Sequence, residues 1–186
     1  MKKDILIIFS VVILIAVIIM GTDFQTVDEY YLTHIDDITP HSKTVTLSIS
    51  CSDILKNYSK LTPSLKSEKY VPSDGYILKD TDYVLRDGDT AFDVLYRAVR
   101  HNKIQIEFQG ADDNPFGSVY VKGINYIYEF SCGETSGWIF KINGVAPNYG
   151  CSKYKLKDGD KLEWIYTCNL GSSTAYTTNN AGGQQQ

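Results

Sequence analysis

Residues 83–89 read Y-V-L-R-D-G-D, and residues 154–160 read Y-K-L-K-D-G-D. Asp-Gly-Asp is turn chemistry, because glycine takes left-handed backbone without steric cost and aspartate bonds nearby backbone N–H groups. The residues after each copy fix the next element. After the first, Asp89 or Thr90 is placed to cap a helix, Asp93 falls in its first turn, and Ala91, Phe92, Leu95, Ala98 and Val99 make one apolar stripe ending near His101 and Asn102. After the second, Leu162, Trp164 and Tyr166 alternate with Lys161, Glu163 and Ile165, the period of a strand. The second copy is therefore expected to form a hairpin, with residues 154–157 returning as 161–168.

The rest of residues 43–170 reads as strands. K-T-V-T-L-S-I-S-C places Val45, Leu47 and Ile49 on one face, and residues 52–61 come next as a short helix. S-D-G-Y-I-L-K-D-T-D-Y-V-L predicts strand, turn, strand. K-I-Q-I-E-F, S-V-Y-V-K-G-I-N-Y-I-Y-E-F and G-W-I-F-K-I-N-G add further strands, and with residues 154–168 they hold Tyr120, Tyr126, Tyr128, Tyr154 and Tyr166, as suits pleated surfaces with one wet face. One main helix crossing a mixed sheet is an α+β fold.

The ends of the chain speak to location. Lys2 and Lys3 precede an apolar run from Ile5 to Met20 broken only by Ser10. As a helix this run spans about 25 Å, longer than a usual signal-peptide core and slightly short of a bilayer's hydrocarbon. Residues 1–21 are read as a retained signal anchor, or as a signal peptide if cleaved. The basic start stays inside, so the remainder faces outward, on the extracellular side of the membrane or secreted. Residues 22–42 carry five acidic side chains and no Lys or Arg to Pro40, the composition of a spacer. Residues 171–186 are small and uncharged, the composition of a flexible tail. Setting aside Lys2, Lys3 and Asp4 leaves 16 basic and 21 acidic side chains outside, with no basic block to attract nucleic acid.

Four cysteines, Cys51, Cys132, Cys151 and Cys168, allow up to two disulfides in an exported chain. The expected hairpin would set Cys151 opposite Cys168, leaving Cys51 for Cys132; Cys132 with Cys151 stays open as an alternative. Catalytic signatures are missing: His34, His41 and His101 form no nucleophile pair, and there is no G-x-S-x-G, H-E-x-x-H or Walker loop. Asp80, Asp82, Asp87 and Asp89 cluster but do not match a calcium loop, so neither an enzyme nor a metal site is expected. Recognition is better supplied, because residues 137–154 run from a tryptophan strand into a loop rich in Asn, Pro, Gly and Tyr, whose aromatic faces suit a flat ligand or a partner surface. Asn143 and Gly144 also suit an N-G turn.

The order Y-V-L-R-D-G-D-T-A-F-D-V-L, V-K-G-I-N, then S-G-W-I-F-K-I-N-G-V-A-P-N-Y-G-C-S-K-Y-K-L-K-D-G-D-K-L-E-W-I-Y-T-C resembles the DUF4430 family, whose domain is similar to the C-terminal β domain of transcobalamin and intrinsic factor. The resemblance covers roughly residues 44–170 and is densest from Gly137 onward. It implies a β-grasp-like fold and a ligand loop in which Asn143, Val145, Pro147, Asn148, Tyr149 and Tyr154 would touch a cobalamin-like corrinoid, bound without covalent attachment. The carriers' helical domain on the other ligand face has no counterpart in the motifs here, so a membrane vitamin-uptake transporter or second protein would complete the enclosure. The function this implies is a membrane-anchored capture module on a Gram-positive cell surface. The alternative is a surface adhesion or structural module gripping protein or glycan through the same loop.

Overall fold

The computed structural model describes residues 11–13, which are helical, and residues 36–170. The expected anchor or signal over 1–21 therefore lies largely outside the described residues, as do most of the 22–42 spacer and the whole 171–186 tail. Among the described residues no helix is long and apolar enough to cross a membrane. The elements of residues 36–170 are β1 (Thr44–Ser50), α1 (Ser52–Lys56), β2 (Tyr76–Val84), α2 (Ala91–His101), β3 (Ile106–Gln109), β4 (Tyr120–Ile124), β5 (Ile127–Tyr128), β6 (Gly137–Ile142) and β7 (Lys161–Thr167), with short 3-10 turns between some of them.

They form two sheets, not one. The larger has the order β2-β1-β7-β6, and β3-β4-β5 form the smaller. Strands β1 and β7 pair in parallel, whereas β2 on β1 and β6 on β7 are antiparallel. A parallel pair needs a long crossover, and here the crossover contains α2 and the second sheet. The alternation read from sequence fixes which face is dry: Val45, Leu47 and Ile49 of β1 join Leu162, Trp164 and Tyr166 of β7 in the core. Ala91, Val94, Leu95, Ala98 and Val99 of α2 belong to the same cluster. Phe92 sits at its margin, stacked on Tyr96 and edge-on to Phe108 of β3 at 4.9 Å.

The start of α2 is a capping box. The Thr90 hydroxyl accepts from the Asp93 N–H, while the Asp93 carboxylate accepts from the Thr90 N–H at 2.9 Å. Just before it the first Asp-Gly-Asp turns through Gly88 at φ 85°, and the Asp89 carboxylate accepts the Arg86 N–H at 2.8 Å. The second copy repeats this at Gly159, φ 79°, with Asp160 accepting from Lys157 N–H at 2.8 Å. The two phrases are thus one turn used twice. They also interlock, because Thr90 bridges Lys155, Leu156 N–H donates to the Asp89 carbonyl, and Ala91 N–H donates to the Tyr154 carbonyl.

That interlock corrects the expected hairpin. A strand has two edges, and both edges of β7 are taken, by β1 and β6. Strand β6 opposes Trp138, Phe140 and Ile142 to Tyr166, Trp164 and Leu162, a row of large apolar pairs that residues 154–157 do not offer. The predicted strand-turn-strand over residues 73–85 holds a single strand, β2, and Lys79 and Asp80 are absorbed in a register shift against β1, with Thr81 and Asp82 in register opposite Leu47 and Thr46. The Cys151–Cys168 opposition falls with the hairpin. Cys168 Sγ instead lies 3.0 Å from Cys132 Sγ, Cys151 Sγ donates to the Val119 carbonyl at 3.2 Å, and all four cysteines are buried.

Candidate functional site

Strand β6 ends in a tight turn. Asn143 (φ 52°) and Gly144 (φ 81°) are both left-handed, and Ile142 and Val145 exchange backbone hydrogen bonds of 2.8 and 3.0 Å across them. This is the geometry that Asn-Gly favours. The Asn143 side chain is committed to the scaffold: its Nδ2 donates to Asp160 Oδ1 at 2.9 Å, and its Oδ1 accepts the Lys161 N–H at 2.8 Å. The Asn-Gly turn is thereby tied to the second Asp-Gly-Asp turn.

Beyond it the loop divides its side chains. Val145 and Tyr149 are 58% and 68% exposed, and Asn148 is exposed with them. Ala146 and Pro147 are half-buried and line a cavity of about 230 Å³ whose other walls include Val119 and Val121 beside and on β4, Trp138 and Phe140 on β6, Cys151, and Trp164 on β7. Tyr154, the last of the expected contact residues, packs against the core with its ring edge-on to Phe140 at 6.4 Å. Val145, Asn148 and Tyr149 thus share the outer surface of the loop, Pro147 lines the cavity behind it, and Asn143 and Tyr154 support it.

The cavity wall is aromatic. Phe140 stacks on Trp164 with ring centroids 5.5 Å apart and planes 30° from parallel. The two indoles differ in one respect. Trp138 Nε1 donates to the Ile127 carbonyl at 2.7 Å, whereas Trp164 Nε1 is buried and has no hydrogen-bond partner among the described residues. An orphaned buried donor costs about 1–3 kcal/mol; the Trp164 ring lines the cavity while its nitrogen is sealed from solvent. Burial pushes the Cys151 thiol up to about 12, which keeps it protonated and a poor nucleophile.

The base of the loop is held to the segment entering β4. Ser118 and Ser152 hydroxyls lie 2.9 Å apart, and Ser152 Oγ accepts the Val119 N–H at 2.9 Å. Gly150 passes so close to Ser118 that a Cβ there would collide with the serine side chain. This clamp, the cavity-facing role of Ala146 and Phe140, and the orphaned Trp164 donor go beyond the sequence reading. The alternation that pairs Phe140 with Trp164 is a signal for part of it.

A second, polar groove of about 570 Å³ runs over the outer face of the larger sheet, lined by Ser48, Ser50, Tyr76, Lys161 and Glu163 among others. Four of its five charges pair internally, Lys79 with Asp74 at 2.8 Å and Lys161 with Asp80 at 3.0 Å. The hydrogen bond from Lys79 holds the Asp74 carboxyl below its ordinary range. Of the clustered aspartates, Asp80 is thus engaged by Lys161, Asp82 accepts from the Thr46 hydroxyl, and Asp89 is gripped by Arg97.

Residues 88–167 match DUF4430, a domain of unknown function. The DUF4430 segment runs from the first Asp-Gly-Asp turn to the end of β7, so it contains α2, the 143–154 loop and most of the cavity wall. No curated protein matches the chain. Among solved structures, the crystal structure of haptocorrin in complex with Cbi is similar over 73% of this chain and 27% of that one, with 12% identity and a TM-score of 0.47. The chain thus spans about a quarter of the length of that protein.

Proposed function

We propose that the DUF4430 segment is a noncovalent ligand-binding module that takes a cobalamin-like corrinoid on its 143–154 loop. The observation that carries this reading is the apolar cavity beneath that loop, walled by stacked Phe140 and Trp164. At about 230 Å³ it falls below the roughly 300–1,000 Å³ of sites that enclose a drug-sized ligand. It therefore takes an edge group packed against Phe140 and Trp164, while the flat body of the ligand rests on exposed Tyr149 and Val145. Parallel β1 and β7 at the centre of the larger sheet, with α2 in the shared core, support the β-grasp-like reading.

Such a module covers one ligand face and acts by binding, without turnover. A membrane uptake transporter would supply the other face and receive the cargo. The apolar N-terminal run supports a place on the outer side of the cell membrane. The exposure of Val145 and Tyr149 also favours a second reading, an adhesion or structural module that grips protein or glycan through the same loop.

Calorimetric titration with cyanocobalamin and aquocobalamin separates them. Saturable binding weakened by Tyr149→Ala or Asn148→Ala is the expected result. No heat up to millimolar ligand would rule out corrinoid capture by this chain alone and favour the adhesive reading.

A further inference from the structure

Cys132 and Cys168 approach Sγ to Sγ within 3.0 Å, inside the ordinary contact distance of two unbonded sulfurs. Each is held from its backbone. Cys132 N–H donates to Ser136 Oγ at 3.0 Å, and Cys168 N–H donates to Asp53 Oδ2 at 2.8 Å. The sheet brings them together, because Cys168 directly succeeds β7, Cys132 lies in the turn before β6, and Gly137 of β6 pairs with Thr167 of β7. The other two thiols are placed elsewhere. Cys151 bonds the Val119 carbonyl at the cavity, and Cys51 succeeds β1 with its N–H on the Gly75 carbonyl.

We propose that Cys132 and Cys168 form the single disulfide of this chain, while Cys51 and Cys151 remain thiols. The bond closes a 36-residue separation that contains β6, the 143–154 loop and β7, and so staples the frame carrying that loop. It forms at the opposite end of the β6–β7 pair from the loop and does not depend on what the loop binds. The oxidant is a disulfide of the thiol-exchange class, either a dithiol oxidoreductase or oxidised glutathione. The Sγ–Sγ bond between Cys132 and Cys168 forms, the oxidant's S–S bond breaks, and the two thiol protons end on the oxidant's sulfurs. Exchange takes place as the chain folds, before Cys132 is fully enclosed.

The test is peptide mapping of the full chain folded with a reduced and oxidised glutathione pair, alkylated without reduction. A Cys132–Cys168 linked peptide with label on Cys51 and Cys151 is expected. Any other linkage, or label on all four cysteines, overturns the proposal. As a second reading, phosphine reduction lowers Tm by about 5–15 °C in the natural chain and leaves a Cys132→Ser/Cys168→Ser variant unchanged. An equal shift in both, or none in either, overturns the staple.

Discussion

The two Asp-Gly-Asp turns are alike in backbone and unlike in what their last aspartate holds, so the same substitution should cost very different amounts. Asp89 accepts Arg97 Nη1 on Oδ1 at 2.7 Å, Arg97 Nη2 on Oδ2 at 2.6 Å, and the Arg86 N–H at 2.8 Å. The pair is largely shielded, with side-chain exposures of 14% for Arg97 and 8% for Asp89. Asp89→Ala leaves the guanidinium with the neutral Val84 carbonyl at 3.1 Å in place of a carboxylate. Stranding one member of such a pair costs about 3–5 kcal/mol. Among the described residues Asp160 holds no cation; it accepts the Lys157 N–H at 2.8 Å and Asn143 Nδ2 at 2.9 Å, so Asp160→Ala should cost about 1–3 kcal/mol. At about 3–5 °C per kcal/mol for a domain of this size, Asp89→Ala lowers Tm by about 9–25 °C and Asp160→Ala by about 3–15 °C. Urea and thermal unfolding monitored by tryptophan fluorescence measure both. In a double-mutant cycle, adding Arg97→Ala to Asp89→Ala should cost little further or restore stability, since the uncompensated charge is then gone. Equal losses at the two turns, or an Arg97→Ala cost that simply adds to that of Asp89→Ala, would refute the ion-pair account.

Gly150→Ala should push the loop off Ser118, break the Ser118–Ser152 clamp and destabilise by about 1–3 kcal/mol; faster amide exchange at Val119, whose N–H bonds Ser152, is the readout. The alkaline limb of the stability curve should be steep. Burial raises Tyr166 to about 12, and burial with a hydrogen bond to Glu129 raises Tyr120 to about 12. A raised folded pKa means the folded state keeps a proton that the unfolded state has lost. The stabilisation is therefore complete below the ordinary tyrosine value of about 10 and disappears as pH climbs toward 12. Phenolate absorbance should show these two rings ionising late in the folded chain and early in urea; ordinary titration of both in the folded chain would contradict their burial.

Local order is legible where one segment decides its own structure. The Thr90 cap and the α2 stripe can be read from sequence, as can the faces of β1 and β7, because period and capping are local. Partner choice cannot, since Leu162, Trp164 and Tyr166 state only that β7 has an apolar face. Whether residues 154–157 or β6 covers the neighbouring edge depends on segments far apart in sequence. The same non-locality hides the Cys132–Cys168 approach, which exists because β6 pairs with β7. At the site, the Asn-Gly turn and the exposed Tyr149 are visible in the loop itself. The cavity is not, because β4, β6 and β7 build it together with Ala146 and Pro147.

If the cavity under the 143–154 loop takes the edge of a flat ligand, Trp164, whose ring lines it and stacks on Phe140, must report it. The chain has two tryptophans, and their indole N–H groups give a built-in comparison. In a proton–nitrogen correlation spectrum recorded during a cyanocobalamin titration, the Trp164 Nε1–H should shift as the ligand packs on its ring and saturate with the calorimetric isotherm. The Trp138 Nε1–H, already bonded to the Ile127 carbonyl, should move less. Saturable heat with an unmoved Trp164 resonance, or no response from either indole up to millimolar ligand, would contradict the proposed mode of binding.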